Sequence, residues 1–176
     1  MRSAVELSAP PPLTRFHQRL LAEELSARGG DGRTRVARAL CEARVDLNPH
    51  QVEAAAFALD ALSRGGCLLA EVVGLGKTIE AGIVIAQLLA EGRERVLILT
   101  PATLRAQWQA ELKSKFDLDA VVIDGKAARG AANCFDQRAP VIASIPFAAA
   151  RPELLRALPW DLVVIDEAHR LRNAHR

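Results

Sequence analysis

The fold of this chain is decided by residues 67–90, which read CLLAEVVGLGKTIEAGIVIAQLLA. The short apolar run at 67–70 predicts a strand, and residues 79–90 predict a helix. Between them, Gly74 and Gly76 allow backbone N–H groups to turn inward around phosphate oxygens. Lys77 and Thr78 follow, as in a P-loop, where the lysine reaches the β- and γ-phosphates and the hydroxyl ligates Mg²⁺. We therefore expect a nucleotide to be bound by Val73, Gly74, Leu75, Gly76, Lys77 and Thr78.

This loop departs from the strict P-loop pattern at one position. The pattern places a glycine six residues before the lysine, and that position is Glu71 here. A glycine-rich turn that merely precedes Lys-Thr would give the same letters. The strand before the loop and the helix after it favour the nucleotide-binding interpretation, because that context is what the motif requires.

Four further apolar runs predict the rest of the sheet. They lie at 96–99, 120–123, 141–143 and 162–165, are rich in β-branched residues and alternate with helical segments. Such a pattern is typical of an α/β fold, with a mainly parallel sheet covered by helices on both faces. Ligands of such sheets bind at the carboxyl ends of the strands, so the residues after each run are the informative ones.

Two acids follow the last of these runs directly. Burial of Asp166 and Glu167 beside apolar residues is costly without a cation, and a Mg²⁺-nucleotide would supply one. Asp166 would hold the metal through its water shell, and Glu167 would orient and deprotonate the attacking water. The alternative is a pair of surface acids at the start of a helix, where acids are favoured anyway. Together with the loop, the acids complete a single Mg-ATP site.

The rest of the chain sets limits on partners and location. We expect a disordered leader at 1–12, a small helical extension at 13–46, and one lobe at 47–176 whose first helix starts at Asn48-Pro49. The net charge of +2 allows nucleic-acid binding only by a local patch. The 3 cysteines predict reduced, mostly buried thiols. No signal peptide and no membrane-spanning run are recognisable, which favours a cytoplasmic location.

Four segments resemble a known family when they are taken in order. They are Asn48-Pro-His-Gln51, residues 74–82, Thr100-Pro-Ala-Thr-Leu-Arg-Ala-Gln-Trp108 and Asp166-Glu-Ala-His-Arg-Leu-Arg-Asn173. They resemble the first-lobe motifs of superfamily-two helicase-like ATPases of the DEAD/DEAH-box kind. The nearest branch is the SWI/SNF type, particularly the bacterial motors that act on RNA polymerase.

The resemblance implies a RecA-like P-loop NTPase lobe with assigned roles for individual residues. Gln51 would read the adenine edge, for which an amide offers both a donor and an acceptor. A nucleic-acid backbone would be contacted by Thr100, Pro101 and Ser144. Trp108 shares one helix face with Leu104 and Leu112, and that spacing predicts a core residue rather than a base-stacking platform.

The same resemblance implies a DNA-dependent ATPase or translocase that uses ATP and Mg²⁺, with duplex DNA and RNA polymerase as partners. Its catalysis would require a second lobe that supplies arginine fingers, so we expect an incomplete lobe, truncated at its C-terminus, with weak activity of its own. The strand between the 67–70 strand and the Asp166 strand would be missing from the sheet. The alternatives are a non-hydrolysing nucleotide-binding module, which Val72 in place of a family acid favours, or an inactive paralogue. A GTPase or small-molecule kinase is a weaker third reading.

Overall fold

The protein is described here from a computed structural model, which covers Arg44 and residues 48–70, 76–130 and 132–173. Within these residues the chain forms five α-helices and four strands. The helices are α1 Pro49–Leu62, α2 Lys77–Ala90, α3 Arg105–Phe116, α4 Ile145–Ala149 and α5 Pro152–Arg156. The strands are β1 Val96–Thr100, β2 Val121–Ile123, β3 Val141–Ser144 and β4 Leu162–Ile165, and a 3₁₀ helix follows at Ala168–Asn173.

The four strands form one parallel sheet in the order β2-β3-β1-β4. The strand β1 lies between β3 and β4, with Ile98 opposite Ile142 on one side and Val164 on the other. The predicted parallel sheet is therefore confirmed. Since all strands run the same way, the carboxyl ends of the strands bring Thr100, Ser144 and Asp166 to the same end of the sheet.

Side chains alternate between two cores on opposite faces of the sheet. On one face, Val96, Ile98 and Ile142 pack against the three long helices α1, α2 and α3. On the other face, Leu97 and Val141 pack with Phe135 and with partly buried side chains of α4 and α5. This alternation is the period-two pattern of strands that are buried on both sides, and it confirms the helices expected on both faces.

One predicted strand does not form. Residues 67–70 have no regular secondary structure, and Leu68 is 74% exposed. A strand needs a neighbour for its backbone N–H and C=O groups, and within the described residues the sheet ends at β4. The run at 67–70 also lacks the β-branched residues that the other four runs contain. An apolar run of this length was therefore not sufficient to predict a strand.

The helix α1 begins where Asn48-Pro49 predicts, and it is buried or half-buried on most sides apart from an exposed stripe of Glu53, Phe57 and Asp60. Leu59 is fully buried, whereas Phe57 is 54% exposed. The helix ends at Leu62, and the turn that follows carries two glycines with positive φ at 65 and 66.

The predicted leader at 1–12 and almost all of the extension at 13–46 lie outside the described residues. Arg44 is the exception: its backbone N–H donates to the Lys115 carbonyl at 2.7 Å, and its guanidinium pairs with Asp117 at 2.9 Å. Within the part of the chain that is described, no helix has both the length and the apolar character needed to cross a membrane.

Candidate nucleotide site

The helix α2 starts directly at the end of the predicted phosphate loop. Gly76 is the residue before the helix and has φ of 99°, a left-handed conformation that glycine adopts without strain. Its carbonyl accepts the first helical hydrogen bonds, from Ile79 N at 2.7 Å and Glu80 N at 3.2 Å. Lys77 and Thr78 thus occupy the first turn, where backbone N–H groups and the helix dipole favour an anion. Val73, Gly74 and Leu75 lie outside the described residues, as do Glu71 and Val72.

The structure brings Gln51 against this loop end. A Cβ placed on Gly76 would lie 3.5 Å from Gln51 Cδ and would overlap Gln51 Nε2, so the amide touches the glycine backbone. Gln51 is only 3% exposed, and its Oε1 accepts a hydrogen bond from Asn48 N at 3.1 Å. Two residues 25 positions apart, assigned separately to adenine and to phosphate, are therefore neighbours.

Asp166 is held at the carboxyl end of the sheet by hydrogen bonds of its backbone to β1 and of its carboxylate to β1 and α3. Its backbone N–H donates to Leu99 O at 2.8 Å, which extends the pairing of β4 with β1. Its Oδ2 accepts hydrogen bonds from Thr100 Oγ1 at 3.1 Å and from Trp108 Nε1 at 2.9 Å. We call Thr100, Trp108 and Asp166 the Asp166 cluster.

Glu167 differs from Asp166 in backbone and environment. It has φ of 55°, in the left-handed region that side chains other than glycine rarely adopt. Its partly exposed carboxylate lies 3.1 Å from His169 Nδ1. A left-handed residue turns its side chain out of the strand direction, and the cost of about 1 kcal/mol or more must be met by the surrounding structure. The sequence pattern did not predict the contact with His169.

The three residues predicted to contact nucleic acid are all buried. Thr100 is fully buried, Ser144 is 8% exposed, and Pro101 is also buried. Thr100 and Ser144 are register partners at the ends of β1 and β3. The Thr100 hydroxyl donates to Asp166, and Ser144 Oγ accepts from Phe147 N at 3.3 Å, which caps α4. Their nucleic-acid contact stays a prediction, and the structure shows that both hydroxyls already have internal partners.

Trp108 is the residue at this site whose role sequence reasoning missed. It was assigned to the core, and its 4% exposure agrees with that. A signal for more was available, because a buried indole N–H normally finds a hydrogen-bond acceptor. The acceptor is a carboxylate 58 positions away.

The groups at this site suit a magnesium nucleotide. A hydroxyl on Thr78 and a carboxylate on Asp166 are the oxygen ligands that Mg²⁺ prefers, and Lys77 supplies a cation for phosphate. The left-handed glycine before a 14-residue helix is the backbone that presents N–H groups to an anion. Residues that fit Mg-ATP are thus present at both the loop and the strand end.

Comparisons with known proteins identify the family of this chain. Residues 50–176 match the family model of the SNF2-related domain. A protein of Bacillus subtilis described as an uncharacterized ATP-dependent helicase, YqhH, is 39% identical over 129 residues, covering 72% of this chain and 22% of that protein. The RNA polymerase-associated protein RapA of Vibrio parahaemolyticus is 42% identical over 142 residues, covering 76% of this chain and 15% of RapA.

A solved structure shows the same fold. The Sulfolobus solfataricus SWI2/SNF2 ATPase core in complex with dsDNA superposes with a TM-score of 0.68 at 21% identity, over 77% of this chain and 29% of that one. The chain spans less than a quarter of the length of the two curated relatives. The family match covers well over half of this chain, and so the chain belongs to the SNF2-related domain family, with the RecA-like α/β fold of the SWI2/SNF2 core.

Proposed function

We propose that this chain is the ATP-binding lobe of a DNA-dependent ATPase that translocates on duplex DNA. The observation that carries the proposal is the contact between Gln51 and Gly76, because it joins a base-reading amide to the end of the phosphate loop. A helix cap alone would not require Gln51 to lie against this glycine. Residues 73–78 would hold the phosphates, and Gln51 would hold the adenine edge.

Each charged residue then has a distinct task. Lys77 binds the β- and γ-phosphates, and the Thr78 hydroxyl and the Asp166 carboxylate hold the magnesium ion, the latter through water. When bound, the ion neutralises the charge that develops on the phosphates. Glu167 orients the attacking water and accepts its proton, and the left-handed turn and His169 set the position of its carboxylate.

Turnover requires parts that this lobe does not supply. The matched region is 29% of the Sulfolobus ATPase core, and we propose that a second RecA-like lobe contributes arginine fingers. Such a finger is worth about 10³–10⁵ in rate, so the 176-residue chain should bind ATP but hydrolyse it slowly. Duplex DNA is the proposed substrate, because the matched core was solved with dsDNA. RNA polymerase is a proposed partner through the likeness to RapA, and the proposed location is cytoplasmic.

The test is nucleotide binding by the purified chain, followed with a fluorescent ATP analogue. Lys77→Ala should weaken binding about 10- to 100-fold, since it removes a charge-assisted contact to phosphate. Lys126→Ala is the matched control, because Lys126 is an exposed lysine elsewhere in the chain, and it should bind as the wild type does. Equal binding by the Lys77 and Lys126 variants would contradict the proposal.

A second candidate is a nucleotide-binding interaction module without turnover. It is favoured by Val72, which stands where the family has an acid, next to Glu71. Glu167→Gln separates the two functions, since it removes the proposed base and leaves the phosphate loop intact. In an ATPase this variant should bind nucleotide normally and lose the cellular function. In a non-hydrolysing module it should keep both.

A further inference from the structure

Two segments that are distant in sequence, the β1–α3 unit and the residue after β4, meet at one carboxylate oxygen. Asp166 follows β4, Thr100 ends β1, and Trp108 lies in the second turn of α3. The hydroxyl of Thr100 and the indole N–H of Trp108 both donate to Asp166 Oδ2, at 3.1 and 2.9 Å. Both donors come from the same β1–α3 unit, whose connecting turn closes with Leu104 N donating to Pro101 O at 2.9 Å.

We propose that Trp108 is a positioning residue for the metal-binding carboxylate, acting together with Thr100. This inference rests on the proposed function of Asp166 as a magnesium ligand. Two donors on one oxygen restrict the rotation of the carboxylate, and Oδ1 would then face the water shell of the magnesium ion, as outer-sphere hydrogen bonds orient metal ligands generally. Trp108 does not touch substrate and acts only through Asp166.

The indole is well suited to this role because it is rigid. Trp108 is 4% exposed and packs among core side chains of α2 and α3. Its ring cannot rotate without disturbing that packing, so the N–H keeps one direction. A flexible donor on the surface would lose side-chain entropy each time it held the carboxylate. The core thus supplies a fixed donor to a half-buried acid at the edge of the sheet.

The contact can be observed directly, because the chain has 2 tryptophans. Two indole N–H peaks are expected in a ¹H–¹⁵N correlation spectrum, and Trp160→Phe assigns them. The Trp160 N–H donates to the Leu155 carbonyl at 3.0 Å, so it serves as an internal reference. Asp166→Asn keeps the shape of the acceptor and removes its charge. It should move the Trp108 peak upfield and leave the Trp160 peak in place, because charge-assisted hydrogen bonds are the stronger ones.

Metal binding supplies the second measurement. In Trp108→Phe, the Mg²⁺ concentration for half-maximal binding of a non-hydrolysable ATP analogue should rise about 10-fold, as is typical when an outer-sphere partner of a metal ligand is lost. Affinity for the same analogue in EDTA should not change, because the phosphate loop is intact. Trp160→Phe is the matched control and should change neither quantity.

The outcomes separate this inference from the proposed function. An unmoved Trp108 peak in Asp166→Asn would refute the inference and leave nucleotide binding untouched. So would a Trp108→Phe variant that loses metal-free affinity as much as magnesium-dependent affinity, since that is the behaviour of a purely structural residue. If the Trp108 peak moves in Asp166→Asn but the wild-type chain binds no Mg²⁺-nucleotide, the inference stands and the proposed function is refuted. Asp166→Asn leaves the core unchanged, so the first measurement stands even where Trp108→Phe does not fold.

Discussion

The helices α2 and α3 pack tightly at Gly82, and this contact allows a quantitative prediction about stability. Gly82 lies within α2, where a Cβ would sit 2.7 Å from Phe116 Cζ and 2.9 Å from Phe116 Cδ2. Real Cβ atoms do not approach that closely. Phe116 is 6% exposed at the end of α3, so its ring has little room to move. The missing side chain is what allows α2 and α3 to pack together here.

Two opposing terms set the effect of Gly82→Ala. Alanine is better than glycine within a helix by about 1 kcal/mol. Overpacking against a buried ring costs about 1–3 kcal/mol. The variant should therefore lose about 0–2 kcal/mol in the wild-type chain. With Phe116→Leu the clash is relieved, and the same change should gain about 1 kcal/mol. The coupling between the two sites should then be about 1–3 kcal/mol.

The assay is urea unfolding followed by far-UV circular dichroism, with the free energy taken from midpoint and slope. Phe57→Leu provides the matched background, because Phe57 is an exposed phenylalanine on α1. In that background Gly82→Ala should behave as it does in the wild type. A gain of about 1 kcal/mol in all three backgrounds would show that the ring yields freely and would refute the packing argument.

Three further predictions follow from single sites. Gln51→Ala should weaken ATP-analogue binding and also lower the stability of the chain by about 1 kcal/mol, because the acceptor for the Asn48 N–H at the helix cap is lost. Gln51→Glu keeps that acceptor and should weaken binding alone. Fluorescence titration measures the binding, and urea unfolding measures the stability. Hydrogen bonds from the backbone N–H groups of the following turn lower the pKa of Asp124. The ionised carboxylate therefore stabilises the folded chain above the ordinary carboxyl pKa of about 4, and this contribution is lost as pH falls through the lowered pKa. Asp124→Asn should flatten the pH dependence of the urea midpoint in that acid range. A thiol reagent should modify Cys67 but not the buried Cys134, as measured by peptide mass spectrometry. The reaction of Cys67 should be slow at neutral pH, because partial burial raises the pKa of its thiol.

The strands show how far local pattern predicts this fold. The run at 162–165 coincides with β4, and the runs at 96–99, 120–123 and 141–143 each match a strand to within one residue. These four runs contain valine or isoleucine, whose branched side chains pack well on a pleated surface. The run at 67–70 had no such residue and forms no strand. A strand forms only where two segments pair, and the apolar pattern of one segment does not show whether a partner segment lies beside it.

The candidate site was predictable in its residue types and less so in its contacts. The position of Asp166 at a strand end follows from the apolar run before it, because strands end where their apolar pattern ends. The donors to its carboxylate come from residues 66 and 58 positions away, a separation that no periodicity encodes. Likewise, the approach of Gln51 to Gly76 depends on how α1 packs against α2. The residue types at the site can be predicted from the sequence, whereas these contacts between distant residues depend on the packing of whole helices and strands.

The strand that carries the acid is also the least covered strand of the sheet. On one face of β4, Leu162 and Val164 pack against the core of the long helices. On the other face, Val163 is 44% and Ile165 is 39% exposed. Burial on one side only provides less of the apolar stabilisation that fixes β1 and β3. The position of Asp166 must then depend more on directional contacts, namely the bond to Leu99 and the two donors on its carboxylate. Loss of those donors should therefore disturb the site before it unfolds the sheet.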